Sequence, residues 1–339
     1  MSHVPGMGLR RIGVTGAEGY LGRYVMRELE AAGYDLVAVD RRAPSVRSRG
    51  AATFRTGDLL DRVTLPALLG DCDAIVHLAA RPSPSCGTAE EVFGENVATT
   101  ANVLELAESR GMARVVLASS ECVVGYVFGN APFPLDYLPI DEAHRLRPED
   151  PYGRSKQVCE ELAATVAARS GMTIVALRPS MILSLETSTQ RQWAREHHRP
   201  PTNGAHPLNF CGYVDARDTA RAFRLALEAP LTGFEAFFIA ARDTRHRLPT
   251  IELIRPYWPA DHPLLAAGIP GHRSLLDTTK AERLLGWTAE HSWRDLSFGW
   301  ADVARQVQDL ILGGKQRVSG GAGRLRRLVR RSRQEAHTT

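Results

Sequence analysis

Apolar residues in the first half of the chain cluster in short, largely β-branched runs separated by longer stretches with helical spacing. Runs over Arg11–Thr15, Leu36–Val39, Ala52–Arg55, Ala74–Leu78, Arg114–Ala118 and Thr173–Leu177 predict six strands. Between them, helices are predicted over Tyr20–Ala32, stopped by Gly33, over roughly Glu90–Ser109, and from Tyr152 to about Arg169 after Pro151. Strands separated by helices of this length imply right-handed crossovers, and hence an α/β fold with a doubly wound parallel sheet. After Pro179 the rhythm breaks. Residues 184–209, rich in Thr, Ser, Arg, His and Pro, read as a loop or lid. Asp215–Glu228 reads as a helix, Ala236–Ile239 as a strand, Ile251–Tyr257 as a short helix, and Lys280–Leu285 as a last helix closed by Gly286-Trp287.

Composition adds boundaries. The chain has 339 residues, 44% hydrophobic and 24% charged, as ordinary globular proteins do. No run of 18 apolar residues occurs, so no membrane span is expected. The N-terminal MSHVPGMGLRR lacks a signal-peptide core, which predicts a cytoplasmic protein. Five scattered cysteines without a Cys-x-x-Cys fit reduced thiols, and no metal site is expected. Net charge is +4, but residues 315–339 hold eight basic residues and one acid, so the rest of the chain is net −3. A nucleic-acid-binding body is therefore not indicated. Gly313–Gly323 resembles a flexible linker into this tail, where Leu325, Leu328 and Val329 fall at helical spacing among arginines; either a solubilising tail or a basic amphipathic helix fits.

Candidate chemistry begins at Thr15-Gly16-Ala17-Glu18-Gly19-Tyr20-Leu21-Gly22, which follows the first strand and opens the first helix. That context suits a dinucleotide-binding turn, where glycines admit a pyrophosphate and the helix N-terminus presents free N–H groups. Asp40 ends the second strand 18 residues after Gly22, placed to accept from ribose hydroxyls and to disfavour a 2′-phosphate. NAD is the expected cofactor, with NADP the alternative because Arg41 and Arg42 follow at once. Asp58-Leu59, after the third strand, reaches the adenine or caps a helix. Further on, Tyr152 and Lys156 stand four residues apart, one helical turn, with both side chains on one face. A phenol with an ordinary pKa of about 10 becomes a usable base when a nearby cation favours the phenolate.

Thr15-Gly-x-x-Gly-x-x-Gly22, Asp58-Leu59, His77-Leu78-Ala79-Ala80, Ser119-Ser120 and Tyr152-x-x-x-Lys156 occur in the order seen in extended short-chain dehydrogenases/reductases. More narrowly, residues 9–300 resemble the NAD-dependent epimerase/dehydratase family, whose type member is UDP-galactose 4-epimerase. Asn96, Arg178-Pro179, Tyr213-Val-Asp-Ala-Arg-Asp218 and Asp277–Trp287 agree with it. The resemblance implies a Rossmann core over 9–180. It also implies a substrate-binding part over 181–300, with segments near 213–240 returning to the core, and a basic tail over 313–339. Tyr152 would be the general acid/base, Lys156 would lower its pKa and hold the nicotinamide ribose, and Ser120 would bond the reacting oxygen. Gly16, Gly19, Tyr20, Leu21 and Gly22 would meet the pyrophosphate, Asp40 and Arg41 the ribose, and Asp58 and Leu59 the adenine. Leu78, Ala79, Ala80 and Pro179 would pass along the cofactor, and Asn96 would support the long-helix region. Substrate contacts would come from Arg81, Ser120, Glu121, Cys122, Ser180 and Arg217, although Arg217 equally suits a helix-start ion pair. A homodimer is the family's habit.

The sequence departs from the family where Val124 replaces a common Tyr and where Ser180-Met-Ile-Leu-Ser-Leu follows Arg178-Pro179. Ser119-Ser120-Glu-Cys-Val-Val-Gly125-Tyr126 is similar to the corresponding segment of uronate dehydrogenases in the same superfamily. The preferred reading is an epimerase-type reaction through a transient ketone on a nucleotide sugar or related sugar. A net dehydrogenase of a sugar or sugar acid is the alternative. A dehydratase would need more acid–base equipment than the single Glu121, and a non-catalytic NAD-sensing module sits poorly with Ser120, Tyr152 and Lys156 together. Arg191, Arg195, His197, His198 and Arg199 form a basic cluster in the expected lid, facing either a substrate anion or solvent, and Phe133–Ile140 would line the substrate mouth.

Overall fold

A computed structural model describes residues 8–44, 52–128, 135–186, 208–246, 248–257, 261–266 and 268–295. The basic tail, the lid cluster from Arg191 to Arg199 and residues 133–134 of the expected substrate mouth lie outside the described residues.

Seven strands form one parallel sheet: β1 (Arg11–Thr15), β2 (Asp35–Asp40), β3 (Thr53–Thr56), β4 (Ala74–His77), β5 (Arg114–Ala118), β6 (Thr173–Pro179) and β9 (Phe234–Ile239). Their order is β3-β2-β1-β4-β5-β6-β9. The winding reverses between β1 and β4, which pair from Ile12↔Ala74 to Thr15↔His77, so a crevice opens beyond their C-terminal ends. A separate ribbon pairs β7 (Ile182–Leu183) with β8 (Val214–Asp215). The third strand begins one residue later than the apolar run suggests. The strand expected at 236–239 starts at Phe234 and extends the main sheet by pairing with β6.

Helices cover both faces because the strands are apolar on both sides. Helices α1 (Tyr20–Ala31) and α5 (Ala216–Glu228) pack on one face with Val25, Leu29, Phe223 and Leu227. The other face carries α2 (Leu65–Leu69), α3 (Ala89–Ser109) and α4 (Pro151–Ser170) with Leu69, Val103, Leu104 and Ala163. Short helices α6 (Thr250–Ile254), α7 (Pro263–Ala266) and α8 (Thr279–Leu285) follow β9. The expected helix 251–257 is thus α6 with a 3-10 turn over Arg255–Tyr257. Trp287 is fully buried after α8, its indole N–H donating to Asp218 O at 2.8 Å. Arg114, also fully buried, donates to the carbonyls of Ala226, Leu227 and Ala229, satisfying the buried C-terminal end of α5.

Candidate active site

At the reversal point lies a cavity of about 730 Å³, within the usual range for cofactor clefts. Gly16 has φ +68, and a Cβ there would stand 2.8 Å from Ala79 N; one on Gly22 would stand 2.2 Å from Gly16 O. Only glycines allow this turn, which brings α1 to the cavity with its N-terminus free of any side-chain cap. Asp40, at the end of β2, accepts from Glu18 N–H at 3.0 Å and from Arg42 N–H at 3.0 Å, so its carboxylate pins the glycine turn. Arg41 lies 3.7 Å from Glu95 and 4.0 Å from Asp58, held by acids on the far side of the cleft.

His77 ties this shelf to the helices behind it. Thr15 Oγ1 accepts from Leu78 N–H at 3.1 Å and Ala79 N–H at 3.2 Å, which leaves its own proton for His77 Nδ1 at 2.8 Å. The imidazole is therefore neutral and donates from Nε2 to Thr100 at 3.3 Å. Burial, with the nearby Lys156 charge, pushes its pKa down to about 3. Asn96 adds a second tie: it accepts from Arg81 N–H at 2.8 Å and donates to Ser155 Oγ at 3.0 Å.

Helix α4 starts with Asp150, whose carboxylate accepts from Gly153 N–H at 2.8 Å, and with Pro151. This start sets Tyr152 and Lys156 one turn apart, both buried against the cavity. The Lys156 ammonium donates to Ala118 O at 2.7 Å and lies 5.8 Å from the Tyr152 ring centre. Burial raises the Tyr152 pKa, opposed by a hydrogen bond from Ser120. Lys156 is expected to lower the phenol's pKa; in this chain desolvation raises it, and desolvation also lowers the pKa of Lys156 itself. Ser120 Oγ accepts from Cys122 N–H at 3.2 Å, and Ser119 donates to Glu160 at 2.5 Å. Glu160, a further turn along α4, forms a buried bidentate pair with Arg178 at 3.0 and 2.7 Å.

Of the catalytic, cofactor and substrate residues that the resemblance implies, every one but Arg217 lines this cavity. Arg217 is gripped by its neighbour, donating to both oxygens of the fully buried Asp215 at 2.8 and 3.0 Å. The ion-pair reading of Arg217 is the one its contacts follow. Sequence reasoning missed Asn209, Met181, Val127, Phe128 and Glu95 on the cavity wall. Glu160 carried a signal in its i+4 spacing from Lys156; Asn209 carried none, since it reaches the cavity through a turn with φ 46. Glu121 is buried and accepts from Ser180 Oγ at 3.0 Å, Asn209 Nδ2 at 2.7 Å and Tyr126 Oη. Burial raises its pKa while these bonds oppose the rise.

The uncapped helix, the side-chain-free glycine turn and the ribose-side carboxylate suit NAD. The NAD dependent epimerase/dehydratase family model matches residues 12–240. The chain belongs to this family. It is an NAD-dependent enzyme of the short-chain dehydrogenase/reductase type. A UDP-glucose 4-epimerase of Corynebacterium glutamicum is 25% identical over 308 residues, covering 82% of this chain and 91% of that one. Cinnamoyl-CoA reductase 1 of Oryza sativa subsp. japonica is 26% identical over 265 residues, covering 73% and 75%. Among solved structures, the Thermotoga maritima UDP-glucose 4-epimerase with UDP-glucose matches with a TM-score of 0.66 at 22% identity, over 88% of this chain and 99% of that one. A short-chain dehydrogenase/reductase superfamily protein of Agrobacterium tumefaciens with bound NAD matches at 0.65 and 23%, over 91% and 100%. Both confirm the fold. Among the described residues no helix is long and apolar enough to cross a membrane, and no three His, Cys, Asp or Glu side chains gather as a metal site.

Proposed function

We propose that this enzyme carries out an epimerase-type reaction on a nucleotide sugar or related sugar, through a transient ketone. The observation that carries the proposal is the convergence of Ser120, Tyr152 and Lys156 on one buried wall of the cavity that begins at the glycine turn. In this reading Tyr152 takes the proton from a substrate hydroxyl and later returns it. Ser120 donates to the oxygen as charge develops there, and Lys156, fixed by Ala118 O, supplies the positive field that favours the phenolate. NAD, when bound, supplies a hydride acceptor; return of the hydride to the other face of the same carbon gives inversion, and its retention gives net oxidation. Gly16, Gly19 and Gly22 would seat the pyrophosphate and Asp40 the adenine-side ribose, with residues 9–180 as the cofactor core and 181–300 as the substrate part. Epimerase relatives matched along most of the chain support the inversion reading.

A second reading, net dehydrogenation, draws on the uronate dehydrogenase-like run from Ser119 to Tyr126. It also draws on a Stigmatella aurantiaca relative, a 4-hydroxy-2-methyl-3-oxo-4-farnesyl-3,4-dihydroquinoline-1-oxide ketoreductase, 34% identical over 174 residues that cover 50% of this chain and 49% of that one. Dehydration is less favoured, because Glu121 is committed to Ser180, Asn209 and Tyr126 and is not a free acid beside Ser120. A homodimer would use α3 and α4, which pack side by side and leave Phe93 exposed, and the protein would reside in the cytoplasm. Incubation of the NAD-loaded enzyme with UDP-glucose, followed by NMR of the product and NADH absorbance, separates the readings. An epimer without NADH supports the first; stoichiometric NADH overturns it and supports the second.

A further inference from the structure

At the end of the cavity bordered by β2, the charged side chains balance one another. Asp40, Asp58 and Glu95 line this end with Arg41, Arg42 and Arg81, three negative charges against three positive. The two arginines that follow β2 have side chains 59% and 67% exposed, so a ligand in the cavity can reach both. Each is nevertheless held by a carboxylate. Arg42 Nε donates to Asp40 Oδ1 at 3.3 Å, and its backbone N–H donates to the same oxygen at 3.0 Å. Arg41 Nη1 lies 3.7 Å from Glu95 Oε2 and 4.0 Å from Asp58 Oδ2. Glu95, on α3, is itself anchored. Its Oε1 accepts from Arg81 Nη2 at 2.7 Å, and that hydrogen bond holds its pKa below the ordinary value. Arg81 is fixed in turn, because its Nη1 donates to Cys86 O and its backbone N–H to Asn96 Oδ1.

From this pattern we infer that Glu95 is a specificity-determining residue for the cofactor: by tethering Arg41 and cancelling its charge, it keeps this end of the cavity from accepting the 2′-phosphate of NADP. Arginines beside the carboxylate that ends the second strand are the groups able to embrace such a phosphate. Asp40 repels it, and Arg41 and Arg42 would offset that repulsion if both were free. With Glu95 the six side chains sum to zero (3 − 3); without it they sum to +1 (3 − 2), and Arg41 loses its nearer partner. A phosphate monoester carries about −1.5 to −2 at neutral pH and responds to that difference, whereas the 2′-hydroxyl of NAD is uncharged and does not. The inference rests on the reading of Asp40 as the ribose carboxylate, and it holds for inversion and net oxidation alike.

NAD and NADP are each titrated against NADH-loaded full-length protein, with displacement read from the fluorescence of bound NADH. The parent should bind NAD at least about tenfold tighter than NADP. Glu95→Gln should narrow that ratio about fivefold by tightening NADP, the size expected of one partly exposed charge. Glu95→Ala should do the same, because the charge and not the shape of the side chain decides. Adding Arg41→Ala to Glu95→Gln should remove the gain, and about 0.5 M NaCl should shrink it in the single variants. A parent that binds the two equally, an unchanged ratio in both Glu95 variants, equal weakening of both cofactors, or a gain that survives Arg41→Ala overturns the inference. Failure of the underlying reading looks different: Asp40→Asn then leaves the parent's preference intact.

Discussion

Tyr152 is where sequence and environment pull in opposite directions. Its spacing from Lys156 promises a lowered pKa, yet burial holds the phenol above its ordinary value. A base with a raised pKa is scarce in its reactive form at neutral pH, so turnover should climb as pH rises toward the phenol's own titration. Tyr152→Phe should lower kcat by about 10²–10⁴-fold, with NAD affinity and Tm unchanged, and should remove that climb. A pH–rate profile of the two proteins with bound NAD checks both points; a variant that keeps full turnover would show that another group moves the proton. The contrast with Asn209 is instructive. The Tyr-Lys spacing and the glycine turn are legible because a helix and a strand–helix junction convert sequence distance directly into geometry. Asn209 lies 88 residues from the carboxylate it donates to, and nothing local marks it.

At the scale of elements, the cleft is held together by polar ties between strands and helices. Glu160 of α4 pairs with Arg178 of β6 and accepts from Ser119 after β5, with both charged partners buried. Removing one side of such a pair strands the other charge, so Glu160→Ala should cost about 3–5 kcal/mol in urea unfolding. His77 joins β4 to the end of β1 and to α3. Its folded pKa of about 3 lies below its unfolded value of about 6.5, so between those values the unfolded chain binds the extra proton. His77 therefore supports the fold fully above about pH 6.5, and that support declines as pH falls toward 3, at up to about 1.4 kcal/mol per pH unit. His77→Gln should flatten the fall of unfolding free energy between pH 6.5 and 5 relative to the parent. An identical slope in the variant would place the acid sensitivity elsewhere. His77 itself is visible in the sequence, but its neutrality follows only from the two threonines that close around it.

For the whole molecule, the sheet order places β1, β2 and β4 around one crevice, so cofactor binding and global stability are linked. NAD at 100 times its Kd should raise the unfolding free energy by about 2.7 kcal/mol, seen as an increase in Tm that grows with concentration. Gly22→Ala, whose added Cβ would lie 2.2 Å from Gly16 O, should abolish that increase. The chain's order of elements was determined by local sequence: alternating β-branched runs and helical stretches, a glycine turn after β1, an acid after β2, and a Tyr-Lys pair opening α4. Those features depend on neighbours within a turn or a strand, where propensity and periodicity act directly. Tertiary structure alone decided that β9 joins the edge of the main sheet, that burial raises the Tyr152 pKa, and that Glu121 meets Asn209. Each of these depends on which groups are brought together and dried when distant segments pack, and desolvation and partner choice are properties of the packed site that no local pattern encodes.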